Sequence, residues 1–377
     1  MISQMAVSIA LDLGLTRETK ARSITYRKRG SEDAERKPPS TTRTREEMRT
    51  ALALFHLTCS TWTAYRKTEP LRWTPYLNTC LERLLKTKNA RTESDPKGTP
   101  PSQELDFVLA AQVKCQLMTL QVDVLTSAHL NWGEQPQPPS DLIIKVLLDD
   151  LAKFREEVPA NFTKTRFVEL YMSHTEMMIR KSVITKPDQK IDMAAEKVKN
   201  LQRLEQTLES AEEWLGLLFN MPDDEMLGIN VDFCSHFMQT LVVLFRLNTH
   251  DEAGWSKEEI RKRADVIQII DRCCIRINGL AAYVEVEESL GPYKGLLSFT
   301  TDLLKAIRTL FSREIKSQAV ADREPEAFQV SDLEMTEQDI NFSEEFLASV
   351  CEEPWFVDMF DAPWYDNSNG GPYYIYV

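Results

Sequence analysis

The sequence predicts an all-α fold, a bundle of roughly ten helices followed by a disordered acidic C-terminal tail. Three observations carry this. Apolar residues recur three or four apart through most of the chain, the period of a helix face. Valine and isoleucine occur without the strict alternation that strands need. Hydrophobic residues make up 42% of the 377 with only 12 glycines, enough to bury one large core or two smaller ones.

The elements follow in order. Met5, Ile9 and Leu13 share a helix face, and Gly14 is placed to stop that helix. Few residues precede it, so the chain is expected to begin inside a domain, from a truncated gene or a misassigned start. Residues 16–49 are polar and basic, with Arg27-Lys28-Arg29, Arg36-Lys37 and Pro38-Pro39, and read as a flexible insertion. A nuclear-import signal at Tyr26–Gly30 is the functional reading of that basic run, and a solvated loop is the commoner case.

The organising stretch is Leu52–Leu85. Leu52, Phe55, Cys59, Trp62 and Tyr65 line one helix, and Leu77, Cys80, Leu81, Leu84 and Leu85 line a second. Between them Pro70 and Pro75 break the helix, because a proline ring removes the backbone donor. Leu71, Trp73, Tyr76 and Leu77 fill the break with bulk, so the expectation is a buried structural elbow formed by Arg66, Pro70, Arg72, Trp73 and Pro75.

A second insertion spans residues 87–102. Helices are expected over Leu105–His129, from Ser140-Asp141 to Pro159, over Arg166–Lys186, Asp192–Asn220, Val231–Leu247, Lys257–Val286 and Pro292–Phe311. Glu205 and Glu212 interrupt the heptads of the Asp192–Asn220 helix, which makes it a core helix rather than a coiled coil. Gly291-Pro292-Tyr293-Lys294-Gly295 reads as a turn between helices.

The net charge of −13 is localised. From Ala321 to Val377 fourteen acids face the single Arg323, which leaves residues 1–320 neutral. A neutral body attracts phosphates weakly and the tail repels them, so the bulk charge offers no general nucleic-acid affinity. The tail also holds eleven of the chain's 33 aromatic residues. Acids interleaved with bulky rings are the composition of disordered activation segments. The densest cluster is Trp355, Phe356, Phe360, Trp364 and Tyr365, the expected partner-binding residues. The competing reading is a tail that docks on its own body and meets the basic insertion.

Enzyme chemistry has no recognisable seat. The five histidines, His56, His129, His174, His236 and His250, stand apart in sequence. His174-Thr175-Glu176 has the H-x-E shape of a zinc deaminase but lacks the downstream P-C-x-x-C, and Cys234-Ser235-His236 has no second ligand pair at zinc spacing. No phosphate-cradling or nucleophile-elbow motif occurs. The seven cysteines form no C-x-x-C pair, and buried reduced thiols are expected, with Cys273-Cys274 as a vicinal redox pair the lesser alternative. No signal peptide or membrane-spanning run is visible.

Three stretches together resemble the middle homology region of fungal zinc-cluster transcription factors. They are Met5–Leu15 with its Ala10-Leu11-Asp12-Leu13-Gly14-Leu15 ending, Ser60–Arg66 continuing into Pro70-Leu71-Arg72-Trp73-Thr74-Pro75-Tyr76, and Phe167–Tyr171 running to Ile179-Arg180. The resemblance covers roughly residues 1–184, and its motifs are packing motifs. The family's six-cysteine, two-zinc DNA-binding head is not in this sequence. The resemblance implies a non-enzymatic, nuclear transcription regulator with a regulatory domain over residues 1–320 and an activation segment over 321–377. It implies a target in metabolism or secondary metabolism and coactivator partners for the tail. DNA would be reached only through a missing or partner-supplied head, and zinc would enter only with an upstream cluster. No other cofactor and no membrane partner is expected. Homodimerisation is left open, and a protein-interaction adaptor without DNA binding is the alternative function.

Overall fold

A computed structural model describes residues 2–17, 43–65, 70–86, 101–127, 141–159, 165–182, 184, 194–228, 231–286 and 291–321. Within them the fold is all-α, twelve helices and no strand. Two compact units divide the chain. The first takes its described residues from Met1–Leu120 and Lys153–Met172, the second from Gln121–Ala152 and Ser173–Pro372. The insertion cores, Arg66 and the acidic tail lie outside the described residues.

In the first unit α1 (Ile2–Asp12) packs on α2 (Arg45–Tyr65), and α2 on α3 (Pro75–Lys86). Gly14 ends α1 with φ +66°, the left-handed region where a side chain would be strained. The Leu15 amide bonds the Ala10 carbonyl at 2.8 Å and the Gly14 amide bonds that of Leu11 at 3.0 Å, which satisfies carbonyls the helix end would otherwise orphan. The face that packs is small, Ala6, Val7 and Ala10, which allows close approach. Met5, Ile9 and Leu13 point outward instead, at 65%, 49% and 63% exposure.

Helix α2 starts on a reciprocal cap. The Glu47 amide donates to the Thr44 hydroxyl at 3.2 Å and the Thr44 amide to the Glu47 carboxylate at 2.8 Å. Its buried face, Ala51, Leu52, Phe55 and Cys59, meets Leu77, Cys80, Leu81 and Leu84 of α3 and Ala110 and Val113 of α4 (Pro101–Ser127). Helix α4 begins earlier than its apolar spacing suggests, and Leu105 is exposed while Phe107, Ala110 and Ala111 are buried. Helix α5 spans Asp141–Glu156 and α6 Thr165–Lys181, with the sequence's apolar positions Leu151, Phe154, Leu170, Met172 and Ile179 buried.

In the second unit α7 (Ala194–Phe219) buries Leu204, Leu208, Ala211 and Trp214. A short α8 (Asp223–Leu227) follows. Helix α9 (Val231–Thr249) is the hub, packing on α7, α10 (Lys257–Ala264), α11 (Val266–Val286) and α12 (Gly291–Ala321). Two sequence expectations are corrected here. Lys257–Val286 is two helices, because Asp265 leaves helical geometry at φ −67°, ψ 111°. Its carboxylate then accepts the Ile267 amide at 2.9 Å, capping α11. The Gly291–Gly295 stretch is the first turn of α12 rather than a connecting turn. Proline is tolerated there because a first-turn amide has no helical partner to lose.

Helix ends in this unit are closed by arginine. Arg276 of α11 donates to the carbonyls of Leu218 at 3.1 Å and Phe219 at 2.6 Å, and also to that of Met221, at the end of α7. A guanidinium there satisfies orphan acceptors and opposes the negative end of the helix dipole. Among the described residues no helix is long and apolar enough to cross a membrane.

Candidate interaction surfaces

The elbow is built from the backbone up. Thr74 caps α3 through its hydroxyl, which accepts the Leu77 amide at 3.3 Å, and Pro75 occupies the first helical position. On the other side of the break the buried Thr58 hydroxyl accepts the Leu71 amide at 3.0 Å and donates to the Phe55 carbonyl at 2.9 Å. Trp73 lies edge-on to Phe55, centroids 4.7 Å apart and planes at 63°. Pro70, Leu71 and Trp73 are half-buried, and Arg72 and Pro75 are exposed. The elbow is thus a tethered shoulder rather than a sealed hinge, with Arg66 outside the described residues.

Two further contacts fasten α2. Arg43 donates to the Gly14 carbonyl, so the start of α2 grips the end of α1. Asp106 of α4, buried at 2% exposure, takes Arg45 at 2.5 Å and the Arg49 terminal nitrogen at 2.9 Å. A buried carboxylate needs such partners, since losing them strands a charge. The Arg49 guanidinium is pushed up by its hydrogen bond to Asp106.

The second unit places together two histidines that stand 62 positions apart in sequence. His174 of α6 and His236 of α9 stack at 3.7 Å between centroids with planes 11° apart. Trp214 and Phe233 meet them edge-on at 6.2 Å. His174 is buried, and desolvation first, then the neighbouring imidazole, holds it well below the usual 6.5. It is therefore a neutral packing residue at physiological pH. Glu176 bonds Arg180 at 2.8 Å, so the H-x-E spacing does not aim both groups at one site. Among the described residues no group of three or more His, Cys, Asp or Glu could hold a metal. Cys59, Cys80, Cys115, Cys273 and Cys274 are buried and unbridged, and Cys234 is exposed. Burial pushes the Cys273 thiol up to about 12 and the Cys274 thiol to about 11, which removes the thiolate that redox chemistry needs.

Sequence reading missed the outward apolar faces. Beyond α1, Leu142 and Val146 of α5 and Phe299 of α12 are at least half exposed. Periodicity identifies an apolar stripe but not which of two stripes meets the core. Trp355, Phe356, Phe360, Trp364 and Tyr365 lie outside the described residues.

Comparison with known proteins gives two matches. Residues 223–368 match a family model described as the ATEG07667_C C-terminal domain, which opens at the first residue of α8. Over 359 residues the chain is 24% identical to "Transcription factor opdL" of Penicillium oxalicum, covering 91% of this chain and 59% of that protein. The chain therefore spans about three-fifths of the length of that relative. No solved structure matches. Over nearly its whole length the chain is thus similar to a fungal transcription factor, in agreement with the resemblance read from the packing motifs of residues 1–184.

Proposed function

We propose that this chain is the regulatory and activation portion of a fungal zinc-cluster-type transcription regulator acting in the nucleus. The observation that carries the reading is the similarity to a fungal transcription factor over 91% of the chain. The tethered elbow suits it, since Thr58, Arg43 and Asp106 fasten the helices into a scaffold. The acidic tail suits it too, with Trp355–Tyr365 as anchors for a coactivator groove. DNA is reached through a six-cysteine head outside this sequence or on a partner, and zinc belongs to that head. Control of a metabolic or secondary-metabolite pathway is the role the resemblance favours. The test is to tether the full chain to a foreign DNA-binding domain in a fungal host. A several-fold change in reporter transcription supports the reading. Unchanged transcription favours the second reading, an adaptor that joins proteins without regulating promoters.

A further inference from the structure

Helix α1 is covered on one side only. Its small face, Ala6, Val7 and Ala10, is the packed one, while Met5, Ile9 and Leu13 make a second stripe that leaves about half or more of each residue open to water. Neither stripe is charged, and Asp12 is the one ionisable residue among the eleven of the helix. A helix that is apolar on both faces is normally buried on both.

The insertions of the first unit have the wrong composition to cover the outer stripe. Residues 18–42 hold Ile24 and Tyr26 as their only large apolar residues against eleven charged ones, and residues 87–100 hold no large apolar residue at all. A second copy of the same helix does fit. Met5 and Leu13 stand four residues on either side of Ile9. A twofold axis at Ile9 therefore sets Met5 of each copy against Leu13 of the other, and Ile9 against its own counterpart. Ridges of residues four apart interleave where two helices cross at about −50°, and a crossing that steep confines contact to about this length of helix. Charge permits the approach, because residues 1–320 are neutral. The stripe and its rim would bury on the order of 800 Å² in total, below the size of a permanent interface, so the pair forms and parts with concentration.

We propose that two copies of this chain associate through the outer stripe of α1, with Met5, Ile9 and Leu13 packed about a twofold axis. In a regulator of the proposed kind this sets two copies, and the DNA-binding heads they work through, side by side. That consequence rests on the proposed function, but the association does not.

Sedimentation velocity on the full chain tests the association. The chain should be largely monomeric at about 1 μM and largely dimeric at about 100 μM, the range of a small interface. Ile9→Glu, at a position half open to water, should stay monomeric across that range with an unchanged melting temperature. A monomer at 100 μM in the unaltered chain, or dimers that survive Ile9→Glu, overturns the proposal. Cross-linking tests the geometry without placing a charge in α1. A Cys234→Ser/Cys351→Ser background removes the exposed thiol and the one in the tail. In it, a short bismaleimide should join Ile9→Cys chains to one another several-fold faster than Met5→Cys chains. A mixture of Met5→Cys and Leu13→Cys chains should link as readily as Ile9→Cys. Equal self-linking of Met5→Cys and Ile9→Cys, or no linking of Ile9→Cys, is contrary. A reporter that responds to the tethered chain while the purified chain stays monomeric would retain the proposed function and remove the association.

Discussion

The Thr58 hydroxyl accepts the backbone amide of Leu71 at 3.0 Å across thirteen residues. It joins a buried position of α2 to residues 70–74, which lie outside helical geometry just before α3. An amide in a helix break has no ladder partner, so a side chain must supply the acceptor. Thr58→Val keeps the shape and removes that acceptor. The expected loss is about 1 kcal/mol or more, the usual cost of stranding a buried donor. Thr58→Ser, which keeps the hydroxyl, should retain most of the stability. Urea unfolding of both variants checks this, and equal midpoints would show that the tether contributes nothing.

Trp73 fills the same elbow without being sealed in it. A fully buried tryptophan cut to alanine costs about 3–5 kcal/mol, and a half-buried one should lose about half of that, about 2 kcal/mol. Phe55 supplies its edge-on partner at 4.7 Å, so Phe55→Leu should weaken the benefit of Trp73. A double-mutant cycle on the two, read by denaturant midpoint, should give a coupling of about 0.5–1.5 kcal/mol. Additive effects would place the stabilisation elsewhere.

The stacked pair His174 and His236 predicts acid sensitivity. His174 titrates well below its unfolded value of 6.5 because burial and the adjacent imidazole disfavour its charge. Below that value the unfolded chain binds a proton that the folded chain refuses. The stabilising contribution of neutral His174 is therefore full above pH 6.5 and is lost as pH falls below it. His174→Phe keeps a ring in the stack and removes the titration. Unfolding free energies at pH 7.5 and 5.5 should differ less for this variant than for the unaltered chain. An equal pH dependence would mean that the proton is taken up elsewhere.

Thiol reactivity should follow burial. With its thiol pushed up to about 12, Cys273 presents almost no thiolate at neutral pH, and Cys59 is held at about 12 by the same cause. Alkylation under native conditions should spare both, and Cys274 with them, until the chain is unfolded. Rapid native labelling of Cys273 or Cys274, or a disulfide between them under mild oxidant, would restore the redox reading.

Much of this fold was legible in local signals. Gly14 marks the end of α1 because only a left-handed residue closes that helix end, and Pro70 with Pro75 marks the elbow because neither ring donates. The break at Asp265 was equally local, an acid three residues before Gln268 at a helix start, but the strong apolar period on either side hid it. Gly291-Pro292 carries a turn composition that also suits a first helical turn, and α12 uses it so. What was not legible is long-range. Nothing in the sequence pairs His174 with His236, or chooses which stripe of α1 or α12 meets the core. Those outcomes depend on which neighbours arrive, and the period of a single helix does not encode them.

The charge distribution makes a separate prediction. Residues 1–320 are neutral and the tail is strongly acidic, so the purified chain should bind DNA weakly at physiological salt and hold no stoichiometric zinc. Elemental analysis and a gel-shift check both. Two zinc ions per chain, or tight sequence-specific binding, would contradict it.

The central claim is that the tail activates through its rings. Area buried by a large ring supplies a few kcal/mol at about 25 cal/mol per Å², whereas an exposed ion pair gives less than about 1 kcal/mol and is screened by salt. The direct measurement is a reporter driven by Ala321–Val377 fused to a foreign DNA-binding domain. The fusion should activate, alanine at Trp355, Phe356, Phe360, Trp364 and Tyr365 together should abolish the signal, and neutralising Glu334, Glu337 and Asp339 should only weaken it. A silent intact tail, or full activity in the five-alanine variant, would contradict the claim.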